Sequence, residues 1–296
     1  MRAFTSDTFV LPLPPKHAFP MAKYRRLRER VDSELLDVDL EPARPVTRAQ
    51  LEAAHDRDYV DRVLTGTLSD KEVRAIGFPQ IPELAWRERH STGGTLCAAR
   101  AALEDGASAN LAGGTHHAQP DRGQGYCLFN DAAIAIRALQ GEGRIQRALV
   151  VDLDVHQGNG TALCLAGDPT AFTLSVHGAR NFPFEKATSD LDVPLPDGTT
   201  DGDYLQAVEE ALEAVLERFV PDVVIYNAGV DVYAGDRLGR LAVSAEGVNA
   251  RDALVVDTCR SRGLPIAVTM GGGYAPEVEH IVGLHLHTIA TAARLG

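Results

Sequence analysis

Cysteine is scarce. The chain has four in 296 residues (Cys97, Cys127, Cys164 and Cys259), far apart and with no C-x-x-C pair. That excludes a disulfide framework or a thiolate zinc cluster and suits reduced thiols in a cytoplasmic protein. Long apolar runs are absent too: no stretch reaches the ~18 residues of a membrane-spanning helix. The proline-broken segment Phe9–Pro15 is too short for a signal-peptide core, so neither export nor anchoring is expected. Positive charge is in deficit, with 29 Lys+Arg against 41 Asp+Glu, a formal charge of −12. Such a surface repels phosphate backbones and anionic membranes, so no nucleic acid and no membrane are expected as partners; a cationic or neutral substrate suits it better.

What remains is ordinary for a folded protein: 45% hydrophobic and 24% charged residues. No repeat or low-complexity linker divides the chain, which predicts one domain over residues 1–296. Short apolar runs of strand length recur at Phe9–Leu11, Ala109–Ala112, Ala148–Val151, Phe172–Val176, Val223–Tyr226 and Ile266–Met270. Their lack of alternation suits strands buried on both faces. Helical patterns lie between them, over 92–104, 131–140, 244–260 and 276–292. The clearest is the stripe Leu205, Val208, Leu212, Val215, Phe219 after the capping candidates Thr200 and Asp201. Alternating strands and helices need right-handed crossovers, so the expected fold is α/β: three layers (αβα) around a parallel sheet.

Polar clusters follow the apolar runs: Gly113-Gly-Thr-His-His117, Asp152-Leu-Asp-Val-His156, Asn227-Ala-Gly-Val-Asp231 and Gly271-Gly-Gly-Tyr274. All four fall at strand carboxyl ends, where open α/β sheets bind ligands. Asp154 and His156, two apart, share a face of an extended segment and could grip one ion with Asp231. Two carboxylates and an imidazole leave a position for water, as in a catalytic zinc site. Read alone, Asp154 could instead cap a helix and His156 be a satisfied loop histidine. The pair His116 and His117 offers proton transfer, with Asp152 and Asn159 as candidate orienters. A carboxylate favours a charged ring and an amide a neutral one, so the two histidines should differ in role. Tyr274, after three glycines, could polarise a carbonyl. Tyr126 and Phe182 could sandwich an aliphatic stem.

The motifs Leu111–His117, Gly125–Ala133, Val151–Thr161, Tyr226–Gly239 and Met270–Tyr274 resemble those of the zinc-dependent histone deacetylase family of the arginase/deacetylase fold. Asn227–Gly239 and Asp154–Gly160 look most like its class IV branch and prokaryotic relatives. The resemblance implies a central eight-stranded parallel sheet and hydrolysis of N-ε-acyl-lysine in a peptide or protein. By the same resemblance the zinc ligands fall on Asp154, His156 and Asp231. The base and acid role falls on His117, an electrostatic role on His116, and carbonyl polarisation on Tyr274. Gly125 matches a backbone acceptor for the substrate amide, and Tyr126 and Phe182 the tunnel walls. A family potassium site would draw on Asp152, Asp154, His156, Ser175 and Val176. The segment His17–Lys23, with small Ala18 and Ala22 and flexible Met21, resembles the floor of the acyl pocket. Class IV resemblance further implies long fatty acyl groups rather than acetyl. Two departures stand out: Tyr126 where many relatives have Phe, and Asn159 where the class I branch has Asp.

Binuclear manganese ureohydrolases share the fold, but their extra aspartates would fall at Gly158 and Tyr233, so a second ion lacks ligands. The remaining alternatives are acetylpolyamine amidohydrolysis, with an acylated polyamine as substrate, and a non-catalytic acyl-lysine binding module.

Overall fold

A computed structural model describes residues 1–7, 10–14 and 17–294. Eight strands form one sheet: β1 (Arg2–Thr5), β2 (Asp39–Pro42), β3 (Ala107–Asn110), β4 (Ala148–Asp152), β5 (Ala171–Gly178), β6 (Leu191–Leu195), β7 (Val223–Asn227) and β8 (Ile266–Thr269). Their order across the sheet is β2-β1-β3-β8-β7-β4-β5-β6, and every pairing is parallel. Every carboxyl end therefore lies along one edge.

The helices are α1 (Ala22–Glu34), α2 (Arg48–Glu52), α3 (Arg57–Thr65), α4 (Asp70–Ile76), α5 (Pro82–Asp105), α6 (Asp131–Gly141), α7 (Asn159–Cys164), α8 (Asp201–Leu216), α9 (Ala245–Ser261) and α10 (Val278–Ala293). The two-residue period of the strands divides the core between the two faces of the sheet. Leu149 and Val151 of β4, Val224 and Tyr226 of β7, and Ile266 and Val268 of β8 join the apolar cluster under α1, α8, α9 and α10. Ala148, Val150, Val223, Ile225 and Ala267 join the opposite cluster with α5 and α6. A fully buried Val, Leu or Ile is worth about 1.5–3 kcal/mol, so this two-sided burial is what fixes the sheet between its helix layers. Helix starts follow local chemistry: Pro82 opens α5, and Asn130 and Ser244 cap α6 and α9 through bonds of 3.0 Å from Ala133 N and Gly247 N.

Several expectations need correction. Leu11 belongs to no strand and Phe9 lies outside the described residues; the chain's first strand is Arg2–Thr5, paired to β3 through its backbone. The third strand sits two residues earlier than its apolar run suggests, because Leu111 and Ala112 already turn into the glycine loop. Thr200 precedes α8 without a side-chain cap, and Asp201 instead accepts from the Ser244 backbone N at 2.7 Å. No described helix is long and apolar enough to cross a membrane.

Candidate active site

The four polar clusters converge at the carboxyl edge of β3, β8, β7 and β4. Asp152 is the last residue of β4, and the chain bends immediately after it. Asp154 and His156 thus sit in a bend rather than the expected extended segment. Their proximity comes from Asp154 itself, whose Oδ1 accepts from the His156 backbone N at 2.9 Å. Asp231, beyond β7, accepts from the Val155 N at 2.8 Å. The His156 Nδ1 lies 2.9 Å from Asp154 Oδ1 and 3.1 Å from Asp231 Oδ2. Donor atoms of the three residues all fall within 4.8 Å of one another, and all three are buried. Gly272 permits this packing: a Cβ there would stand 1.9 Å from Asp231 Oδ2, and its own N–H donates to Asp154 Oδ2 at 2.7 Å.

The electrostatics suit a cation. Burial, then the charge of Asp154, raises the Asp231 carboxyl to about 7, whereas His116 and His156 outweigh burial and hold Asp154 well below the usual range. Burial disfavours a charged His156, but its bonds to both carboxylates push it up to about 10. Among the described residues no lysine or arginine lies within 4.0 Å of either carboxylate. While it holds its proton His156 itself meets their charge; a bound cation would take over that role and release the proton, and an Asp-His-Asp donor set suits zinc with a position to spare.

The two histidines differ in the way their partners dictate. His116 Nδ1 lies 2.7 Å from Asp152 Oδ2; burial opposes its charge, but Asp152 and Asp154 outweigh it and hold the ring at about 9. His117 Nδ1 lies 2.7 Å from Asn159 Oδ1, an acceptor without charge. Burial, reinforced by His116 and His156, keeps His117 well below 6.5 and therefore neutral. A neutral Nδ1–H donating to Asn159 leaves Nε2 free to accept a proton. Tyr274 is held through its backbone, its carbonyl accepting from Arg237 Nε at 2.8 Å. Burial, then Asp154 and Asp231, raises its phenol well above 10, so it stays a donor.

A cavity of about 420 Å³ reaches these groups from the surface. Phe182 meets His117 edge-on, ring centres 4.9 Å apart, and Tyr126 lies 6.1 Å from Tyr274. Tyr126 has φ +67°, a conformation side chains rarely adopt, and is held there by its N–H to Ile76 O at 2.7 Å. Gly125, at φ +54°, cannot be replaced cheaply, because a Cβ would stand 2.7 Å from the His117 ring. The Gly125 carbonyl accepts a weak S–H bond from Cys127 at 3.4 Å. Ser175 pairs with Asp152 across β4 and β5, and Val176 follows it. The cavity continues inward to Tyr24, Arg87, Glu88 and Ser91. Of the His17–Lys23 segment, Phe19 lines the cavity, whereas Ala18, Met21 and Ala22, expected as its floor, do not. Lys23 is buried within α1 and donates to Gly271 O at 2.9 Å; burial pushes it down to about 8.

Several supporting residues escape sequence reasoning. Asp131 accepts from Gly114 N and Thr115 N at 2.9 and 2.8 Å and so fixes the loop ahead of the histidine pair. Asn227 Nδ2 donates to Asp152 Oδ1 at 2.9 Å. Behind the cluster, fully buried Arg251 donates to Leu153 O at 3.2 Å and Gly229 O at 2.6 Å, tying together the loops that carry Asp154 and Asp231. Its charge is met by Asp252 at 2.8 Å, which also accepts from Tyr226 and Thr288, each at 2.5 Å. A signal existed: positions 251 and 252 interrupt the stripe Val248, Val255, Val256, Cys259 with charges where a core is expected.

Sheet and cluster together define a class: parallel α/β proteins with a buried, three-ligand metal-binding cluster at the strand carboxyl edge. Residues 17–289 match the family described as Histone deacetylase domain. An uncharacterized protein of Picosynechococcus sp. is 45% identical over 286 residues, covering 95% of each chain. Histone deacetylase 2 of Arabidopsis thaliana is 30% identical over 277 residues, 90% of this chain and 72% of that one. A histone deacetylase-like amidohydrolase of Pseudomonas aeruginosa is 29% identical over 287 residues, 90% and 75% of the two chains. Two crystal structures share the fold. An HDAC homolog complexed with SAHA gives a TM-score of 0.83 at 25% identity over 99% of this chain and 83% of that one. An HDAC homolog from Aquifex aeolicus gives 0.82 at 24% identity over 98% and 83%. The chain belongs to the histone deacetylase family.

Proposed function

We propose that residues 1–296 form one catalytic domain, a class IV-like zinc-dependent hydrolase that removes acyl groups from N-ε-acyl-lysine. The observation that carries this reading is His117, positioned by Asn159 with no carboxylate on its Nδ1, beside the Asp154, His156 and Asp231 cluster in a cavity walled by aromatic rings. The zinc ligands would be those three residues; when bound, the ion supplies positive charge that polarises water and the acyl carbonyl. His117 takes a proton from the attacking water and returns one to the lysine nitrogen as the amide C–N bond breaks. His116, charged beside Asp152, adds positive potential. Tyr274 donates a hydrogen bond to the developing oxyanion. Tyr126 and Phe182 hold the lysine stem, and the Gly125 carbonyl accepts from its amide. A potassium ion near Asp152, Asp154, His156, Ser175 and Val176 would brace the histidine pair.

For the acyl group we favour a long fatty chain over acetyl. The inward continuation of the cavity gives room for a longer chain; its contacts with Phe19 and Tyr24, not the buried Arg87–Glu88 pair or Ser91 beyond them, would supply the gain of about 0.8 kcal/mol per buried methylene. The test is hydrolysis by the purified, zinc-loaded protein of matched peptides bearing acetyl-, dodecanoyl- or myristoyl-lysine. Free lysine and carboxylate are expected, with higher kcat/KM on the long chains. Greater kcat/KM on acetyl would overturn the chain-length assignment alone, and no hydrolysis of any peptide would overturn the function.

A further inference from the structure

The overall charge of −12 favours a cationic substrate, but the cavity mouth carries the opposite charge. Among the described residues, the exposed ionisable side chains that line the cavity are Arg74, Arg180 and Arg240. Arg180 and Arg240 share a single carboxylate, Asp197, at 3.5 and 3.2 Å, and keep 74% and 49% of their side-chain surface exposed. Arg74 has no carboxylate within 4.0 Å among the described residues. Glu185, on the same loop as Phe184, does not line the cavity. The mouth therefore holds a local positive excess on an acidic protein.

These arginines come from three separate parts of the chain, and hydrogen bonds tie each segment to the tunnel. Arg74 lies in the last turn of α4, whose end is pinned by Gly125 N to Ala75 O at 3.0 Å and Tyr126 N to Ile76 O at 2.7 Å. Arg180 leads into the loop of Phe182. That loop is tied to the Arg240 segment by Asn181, which donates to Leu238 O at 2.8 Å and accepts from Arg240 N at 3.2 Å. Beside the arginines stand Phe184, 87% exposed, and Leu238, 41% exposed. Phe184 meets Phe182 edge-on at 6.2 Å and extends the aromatic wall outward. A rim that is both cationic and apolar is built for a chain lying across the mouth, not for a polyamine threading it.

We propose that this rim selects acyl-lysines flanked by carboxylates, with an apolar neighbour over Phe184, and disfavours acylated polyamines. The inference rests on the acyl-lysine reading of the tunnel and names which acyl-lysines enter it. Exposed charges act mainly on encounter and KM, and salt screens them.

The test uses peptides identical except for two residues on each side of the acyl-lysine: Asp, Ser or Lys. Initial rates give kcat/KM, and fluorescence anisotropy gives Kd for the same sequences with the scissile N–H replaced by CH₂. Both should favour the acidic peptide over the basic one by about tenfold at low ionic strength, as expected for a few exposed ion pairs. The ratio should shrink towards one in 0.5 M salt, on the order of a 4 Å screening length. The double variant Arg74→Glu/Arg180→Glu should invert the order and raise kcat/KM on an acetylpolyamine relative to the acidic peptide. Each comparison is a ratio within one protein, so a smaller folded fraction does not alter it. Equal affinity for acidic and basic peptides, or an order unchanged by charge reversal, would overturn the proposal. Binding that follows the charge order without turnover would support the rim and sink the hydrolase reading instead.

Discussion

The contrast between His116 and His117 makes Asn159→Asp the most informative single substitution. The new carboxylate would occupy the position now held by an amide oxygen 2.7 Å from His117 Nδ1. An opposite charge that close raises an imidazole by about 1–3 pKa units, each worth about 1.36 kcal/mol. The chain contains its own comparison, since His116 beside Asp152 stands at about 9 whereas His117 beside Asn159 lies well below 6.5. In the proposed mechanism the reacting form of His117 is the neutral ring, so a higher pKa removes it from the acid side. The acid limb of kcat/KM should therefore move up by about 1–3 units, with the alkaline plateau nearly unchanged. One unit above the wild-type midpoint, that shift costs between about 2-fold and about 100-fold in rate. Metal content measured at each pH separates this effect from loss of zinc. An acid limb that stays in place, or moves down, with zinc retained would refute the assignment of His117 as a base kept neutral by burial and by the lack of a carboxylate partner.

Tyr274→Phe should lower kcat by about 10²-fold or more with a modest change in KM, because the lost bond acts on the oxyanion; near-normal kcat would assign that role elsewhere. Asp231→Ala should lose both zinc and activity, and stoichiometric zinc retained by that variant in metal analysis would remove Asp231 from the ligand set. Arg251→Met should destabilise the fold by about 3–5 kcal/mol in denaturant unfolding, because Asp252 is left as an unpaired buried charge. Restoring neutrality with Arg251→Met/Asp252→Asn should recover part of that loss. Recovery to wild-type stability with unchanged zinc affinity would show that Arg251 does not hold the two ligand loops.

How legible each element was follows from where it sits. β4, β7 and β8 lie at the centre of the sheet, so Ala148–Asp152, Val223–Asn227 and Ile266–Thr269 are buried on both faces and read as apolar runs. β2 and β6 are edge strands: Asp39-Leu-Glu-Pro42 is mostly exposed and Leu191-Asp-Val-Pro-Leu195 mostly half-buried, so only the paired backbone marks them as strands. The short helices α2 and α4 were signalled by the capping boxes Thr47-x-x-Gln50 and Ser69-x-x-Glu72, which carry no apolar stripe long enough to attract notice. The metal cluster and histidine pair were legible because each follows an apolar run directly. The supporting roles of Asp131, Asn227 and Arg251 were not, since their partners lie far along the chain and only the fold brings them together. The arginine rim was hidden by averaging: net charge sums over the whole surface and carries no information about one mouth.

The account's central claim is that one zinc ion at Asp154, His156 and Asp231 makes this chain an acyl-lysine hydrolase. The direct measurement is turnover of an acyl-lysine peptide by chelator-treated protein during titration with zinc, with bound metal counted alongside. The rate should rise from zero in proportion to bound zinc and level off at one equivalent. Turnover undiminished in the metal-free protein, or no turnover with one equivalent bound, would contradict it.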